Sequence, residues 1–196
     1  LERKVVCMKI GIYGGTFNPP HLGHLEAART AVKGLELDKL ILIPAAVPPH
    51  KALPEGTPEG AHRLAMTERM ADALSMPKVA EVSRMELDRE GKSYTADTLR
   101  AIRAQYPDAQ LWLLMGTDMF LTLHLWHDPE VITQLAGICA FGRTEQDGEE
   151  LFAPQREFLS QKYQAQIVTI TLPGLVDVSS TRLRELLARG EGQEYL

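Results

Sequence analysis

With 196 residues, 44% of them hydrophobic and 24% charged, the chain has the composition of a globular protein able to bury a substantial core, which argues against disorder. A net charge of -5 leaves no uniformly basic face for sequence-independent binding to a polyanion such as DNA. No apolar stretch approaches the roughly 18 residues of a membrane span.

The chain opens with basic residues before Val5 and Val6, but Lys9 interrupts the run before the roughly seven apolar residues of a signal peptide. Met8-Lys9-Ile10 leads directly into the first strand-like run. Residues 1–7 are therefore expected to be a non-native or disordered leader, and residues 8–196 one domain. Apolar runs rich in β-branched residues predict strands at 9–13, 39–43, 79–83, 110–115, 138–141 and 166–170. Amphipathic segments predict helices at 22–33, 61–74, 95–105, 129–135, 151–163 and 180–188. This alternation predicts an α/β fold, a doubly wound parallel sheet with helices on both faces. Ligands in such sheets bind beyond the carboxyl ends of the strands, at a switch in strand order. Two loops stand out, the Pro-rich one at 45–60 and the polar one at 142–150, and either could close over a ligand. Cys7 and Cys139 are too few for a disulfide framework or a cysteine-rich zinc site, and fit a reducing cytoplasm.

The first strand runs into Gly14-Gly15-Thr16-Phe17-Asn18-Pro19-Pro20-His21-Leu22-Gly23-His24 and then opens a helix. Gly14 and Gly15 allow a ligand close to the backbone, and N–H groups at the helix start attract anions. The loop has neither the Gly-Lys-Ser/Thr of a P-loop nor the three glycines of a dinucleotide fingerprint. His21 and His24 can turn both imidazoles to one side, with Gly23 leaving room between them. Capping or core packing, a zinc pair and shared ligation of a phosphate are the available readings. Zinc lacks further ligands at matching spacing among His50, His62, His124 and His127, and the glycine turn in front favours phosphate.

Near the end, Val178-Ser179-Ser180-Thr181-Arg182-Leu183-Arg184-Glu185 opens a helix whose apolar side carries Leu183, Leu186 and Leu187. Ser179 or Ser180 suits the N-cap, whereas Arg182 and Arg184 lie where the helix dipole disfavours cations. A bound phosphate would offset this through hydroxyls, N–H groups and a guanidinium fork; an ordinary capped surface helix is the alternative. Residues two apart on a helix face nearly opposite ways, so at most one arginine is expected to meet the ligand.

Together these segments resemble the H/TxGH and ISSTxxR signatures of a nucleotidyltransferase superfamily, with Val178 in place of Ile. Three more segments narrow the resemblance to bacterial nicotinate-nucleotide adenylyltransferases: Pro44-Ala45-Ala46-Val47-Pro48-Pro49-His50-Lys51, Ser93-Tyr94-Thr95-Ala96-Asp97-Thr98-Leu99, and Met115-Gly116-Thr117-Asp118 with Trp126. Asn18 stands where many relatives have Asp, and relatives usually continue past the position of Leu196.

The resemblance implies a Rossmann-like sheet and transfer of AMP from ATP to nicotinate mononucleotide, in the cytoplasm. It implies Mg2+ arriving with ATP, held mainly by phosphate oxygens and water rather than by the protein. An acceptor phosphate with a second pKa of about 6 is already largely ionised at neutral pH, so no general base is needed. In-line attack then needs positioning and charge stabilisation. His21 and His24 would hold the triphosphate, with His24 stabilising charge at the α-phosphate, and Arg184 would hold the pyrophosphate side. Gly14, Gly15, Thr16, Phe17, Gly23, Ser180 and Thr181 would complete the ATP site, with Gly116 and Asp118 toward adenosine and Arg143 within reach of the nucleotide. Trp126 would stack on the pyridine ring, Tyr94 and Thr95 would offer backbone donors to its carboxylate, and His50 and Lys51 would meet the acceptor phosphate. Core packing for Trp126, plain solvation for Lys51 and an ordinary surface position for Arg143 are the alternatives. The expected partners are these two small molecules, with no nucleic acid or membrane; a homo-oligomer is compatible.

Phosphopantetheine adenylyltransferase and the cytidylyltransferases would share both end motifs but not the middle segments. A non-catalytic nucleotide sensor would be expected to lose a phosphate ligand, and His21, His24 and Arg184 are all present. An NAD-binding oxidoreductase would need the glycine spacing that the first loop lacks.

Overall fold

The computed structural model describes residues 7–47, 53–142, 148–172 and 178–196. The strands are β1 (Lys9–Gly15), β2 (Lys39–Pro44), β3 (Ala80–Val82), β4 (Gln110–Gly116), β5 (Ala136–Gly142) and β6 (Ile167–Thr171). Each coincides with a predicted run to within two residues. All pair in parallel, in the order β3-β2-β1-β4-β5-β6. The helices are α1 (Leu22–Gly34), α2 (Gly60–Ala73), α3 (Thr95–Gln105), α4 (Thr117–Thr122), α5 (Pro129–Leu135), α6 (Glu149–Tyr163) and α7 (Ser180–Leu187). Of these, α4 was not expected. It is six residues long, too short to display a helical period, and forms because Phe120 is fully buried, as is Leu123 in the 3-10 turn Leu123–Leu125 that follows.

The strand order accounts for helices on both faces. The chain steps from β1 to β2 to β3 in one direction and from β3 through β4 and β5 to β6 in the other, so right-handed crossovers put the two sets of helices on opposite sides. Ile10, Ile12, Ile41, Ile43, Leu111, Leu113 and Ile138 share a core with residues of α3, α5 and α6. The intervening Leu40, Leu42, Trp112, Leu114, Cys139 and Phe141 share a core with residues of α1 and α2. Both faces of the sheet are covered, which is why the strands read as continuous apolar runs.

Gly137 lies opposite Trp112 in the β4–β5 register, and a Cβ there would fall 2.7 Å from the indole. The indole takes the space that a side chain would need. Cys139 is wholly buried, and burial pushes its thiol up to about 12, so it is an inert packing group. Cys7, exposed, donates from Sγ to the Asp108 carbonyl at 2.9 Å. Among the described residues, no helix is long and apolar enough to cross a membrane.

Candidate active site

The order of strands reverses direction between β1 and β4, and the loop after β1 opens there. Gly14, next to last in β1, is exposed, and a Cβ on it would meet nothing closer than the Ile43 carbonyl at 4.0 Å. Phe17 holds a left-handed backbone, φ 46°, which costs a non-glycine residue on the order of 1 kcal/mol. Its ring compensates by burying almost completely, edge-on to Tyr13 at 5.7 Å. Asn18 is also buried, 4% exposed, and its Nδ2 donates to the Thr57 hydroxyl at 3.2 Å.

The two histidines cap α1 reciprocally. His21 is the N-cap, and its Nδ1 accepts from the Gly23 N–H at 3.1 Å, while the His21 N–H donates to Nδ1 of His24 at 3.2 Å. A neutral imidazole that accepts at Nδ1 carries its proton on Nε2. The backbone therefore selects the same tautomer in both rings. Their centroids are 3.9 Å apart, and the His24 ring also lies 5.3 Å from Phe17. Capping and phosphate ligation are thus compatible: the cap occupies Nδ1 and keeps the proton on Nε2, which in His21 is a buried atom.

At the other end of the chain, Ser179 caps α7 by accepting from the Arg182 N–H at 3.1 Å. Ser180 Oγ donates to the Pro19 carbonyl at 2.8 Å, and Arg184 Nη1 donates to the Asn18 carbonyl at 2.6 Å. Arg184 Nη2 also reaches the Thr181 hydroxyl at 3.2 Å. Arg182 turns away to an exposed pair with Glu185 at 3.2 Å. The two arginines diverge as their spacing predicts, and the one expected to meet phosphate lies against the histidine loop.

Sequence reading missed Arg63. It lies on α2 in register with Thr67 and Met70 on the buried side of that helix, a cation at 2% exposure on an apolar face. That placement was visible as a break in the helical pattern. Its guanidinium donates to main-chain carbonyls: Thr16 at 3.1 Å, Pro58 at 3.3 Å, Ala46 at 3.5 Å, and Ala45. Burial lowers its pKa from the ordinary value.

A second group gathers at α3. Tyr94 is the N-cap and makes no side-chain cap bond, so the helix start lacks a side-chain acceptor. Its ring lies 4.4 Å from that of His127, next to Trp126. Trp126 packs partly against the core while its Nε1 donates to the Thr122 hydroxyl at 3.4 Å, so it is neither fully core nor fully platform. Gln155 Nε2 donates to the Phe120 carbonyl at 3.0 Å and lies 3.0 Å from Nδ1 of His124. The Ser93 N–H donates to the Val47 carbonyl at 3.2 Å, linking this group to the loop after β2. Behind it, Thr98 Oγ1 donates to the buried Glu86 carboxyl at 2.7 Å, and Arg89 donates to Thr98 at 3.2 Å. Burial raises the Glu86 pKa, against the opposing effects of Thr98 and Arg89.

Gly116, buried at the end of β4, is the N-cap of α4, and Asp118 stands exposed in its first turn. Thr95 is half-buried in the first turn of α3. His50 and Lys51, with Pro48 and Pro49, lie outside the described residues, as does Arg143.

The cytidylyltransferase-like family model matches residues 12–186. A protein of Lachnoclostridium phytofermentans described as "Probable nicotinate-nucleotide adenylyltransferase" is 37% identical over 187 residues, 95% of this chain and 90% of that one. One of the same description from Exiguobacterium sibiricum is 36% identical over 189 residues, 96% of this chain and 91% of that one. The solved structure of Plasmodium falciparum nicotinic acid mononucleotide adenylyltransferase complexed with NaAD is similar at TM-score 0.76 and 18% identity, covering 96% of this chain and 90% of that one. Sequence likeness over nearly the whole length, joined to a shared fold, shows that the chain belongs to the nicotinate-nucleotide adenylyltransferase family of cytidylyltransferase-like proteins.

Proposed function

We propose that this chain transfers the adenylyl group of ATP to nicotinate mononucleotide, giving nicotinate adenine dinucleotide and pyrophosphate, as a step of NAD biosynthesis in the cytoplasm. The carrying observation is the junction of the chain's two end motifs, where Ser180 and Arg184 bond to the carbonyls of Pro19 and Asn18 just before the histidine pair. One anion placed there meets two imidazole donors, a guanidinium fork and the start of α7.

The acceptor's phosphate monoester supplies the nucleophile. One of its oxygens bonds to the α-phosphorus as the bond to the bridging oxygen breaks, and pyrophosphate leaves with that electron pair. His24 Nε2–H stabilises charge at the α-phosphate and His21 supports the triphosphate, each held by its Nδ1 bond. Arg184 takes the departing pyrophosphate, helped by Ser180 and Thr181 and by the backbone from Gly14 to Phe17 and at Gly23. Gly116 and Asp118 lie toward adenosine. Trp126 stacks on the pyridine ring, the helix start at Tyr94 and Thr95 meets its carboxylate, and His50 and Lys51 meet its phosphate.

The residues present fit Mg2+ entering with ATP. The first loop carries the neutral Asn18 amide, bonded to the Thr57 hydroxyl, rather than a carboxylate. When bound, the ion neutralises phosphate charge, held by phosphate oxygens and water.

The test is pyrophosphate release with Mg-ATP and nicotinate mononucleotide, beside nicotinamide mononucleotide and phosphopantetheine at equal concentration. Release with the nicotinate form above the others is expected. Release with another acceptor alone keeps the transfer chemistry and overturns the assignments to His50, Lys51, Tyr94, Thr95 and Trp126.

A further inference from the structure

We propose that Arg63 is a positioning residue for adenylyl transfer, whose buried guanidinium orients the peptide groups of the loops after β1 and β2 so that their N–H groups face the nucleotide. This rests on the proposed reading of the first loop as the triphosphate cradle.

The hydrogen bonds described for this guanidinium all run to main-chain carbonyls, those of Thr16, Ala45, Ala46 and Pro58, and none to a carboxylate. A buried cation without such compensation is costly to keep, which calls for a use beyond packing. Guanidinium stays charged at neutral pH even when burial disfavours it.

The use follows from peptide geometry. In a planar trans peptide the N–H points opposite to the carbonyl oxygen. Drawing the Thr16 carbonyl toward Arg63 turns the Phe17 N–H the other way, and the same holds for Ala46 N–H and Val47 N–H through the carbonyls of Ala45 and Ala46. The direction is set by the sheet. Helix α2 connects β2 to β3 on one side of β1, whereas the crevice at the switch of strand order lies on the other, toward β4. N–H groups turned away from Arg63 therefore turn toward the crevice.

A side chain that replaced only the apolar contacts would leave these peptides free to rotate. Lysine would keep the charge but, lacking the planar fork, could not hold carbonyls of both loops together. The same fork links the chain just after the glycine turn to the chain just after β2, so one residue couples the ATP side to the loop that carries Lys51.

The experiment compares Arg63→Met and Arg63→Lys with the wild type by thermal melting, ATP affinity in the presence of Mg2+ by titration calorimetry, and kcat and KM for each substrate. For folded Arg63→Met, roughly a hundredfold loss of kcat/KM for ATP is expected, the scale of removing aligned N–H donors from a developing charge. Arg63→Lys should fall between Met and wild type. A folded Arg63→Met with wild-type ATP affinity and kcat overturns the proposal and leaves Arg63 a structural tie. If Arg63→Met does not fold, Arg63→Lys decides: unchanged ATP affinity and kcat overturn the proposal in the same way. If the wild type releases no pyrophosphate with nicotinate mononucleotide, the functional reading fails, and the ATP-affinity comparison still tests Arg63.

Discussion

The guanidinium of Arg184, on the last helix, donates to the main-chain carbonyl of Asn18 at 2.6 Å and leaves its second nitrogen with Thr181. The arginine is thereby held beside the histidine loop before any substrate arrives.

Arg184→Gln is expected to lower kcat/KM for ATP by about a hundredfold, because a charge-assisted fork is lost where phosphate charge develops. Arg184→Lys should recover part of the loss, since it restores charge without the fork. The check is steady-state kinetics with ATP varied. Wild-type rates in Arg184→Gln would remove this residue from the pyrophosphate side.

Trp126→Ala should raise the KM for nicotinate mononucleotide by about tenfold while the KM for ATP changes little, as loss of a stacking surface for one substrate requires. Equal changes in both constants would mean that the indole serves only the core against which it packs.

Stability gives an independent reading of the sheet. A Cβ at residue 137 would lie 2.7 Å from two indole carbons of Trp112. Gly137→Ala is expected to cost about 1–3 kcal/mol by overpacking, measured by denaturant unfolding. In a Trp112→Leu background the cost should shrink, because the colliding ring is gone.

Glu86 predicts a pH dependence. Burial raises its folded-state pKa above the usual 4.5, so the folded chain holds the proton more tightly than the unfolded chain does. The resulting stability is complete below about 4.5 and is lost as pH rises through the folded value. Glu86→Gln keeps an acceptor for Thr98 Oγ1 without the titration. Its stability relative to wild type should therefore increase from pH 4 to pH 8 in urea melts, and a constant difference across that range would sink the assignment.

Local chemistry made most of the fold legible. The β-branched runs around Ile10, Ile41 and Ile138 and the amphipathic segments between them located six strands and six helices, because periodicity and burial act within a few neighbouring residues. Helix α4 escaped, since one and a half turns carry no readable period and Phe120 decides them by burial. The end motifs were also legible as residue types: a glycine turn before His21 and His24, and serines before arginines.

What letters along a chain could not decide was which partner each polar atom has. Only the folded sheet brings Arg184 to Asn18 and leaves Arg182 with Glu185. Only the cap geometry shows that both histidines spend Nδ1 on the backbone, which selects the Nε2 proton. Arg63 is the clearest case, because its acceptors are main-chain carbonyls that every residue possesses and no residue type advertises. Side-chain periodicity is a local property, and so the sequence by itself determined the elements and the kinds of chemistry. The direction of a hydrogen bond depends on segments far apart in the chain, and only the tertiary structure decided those.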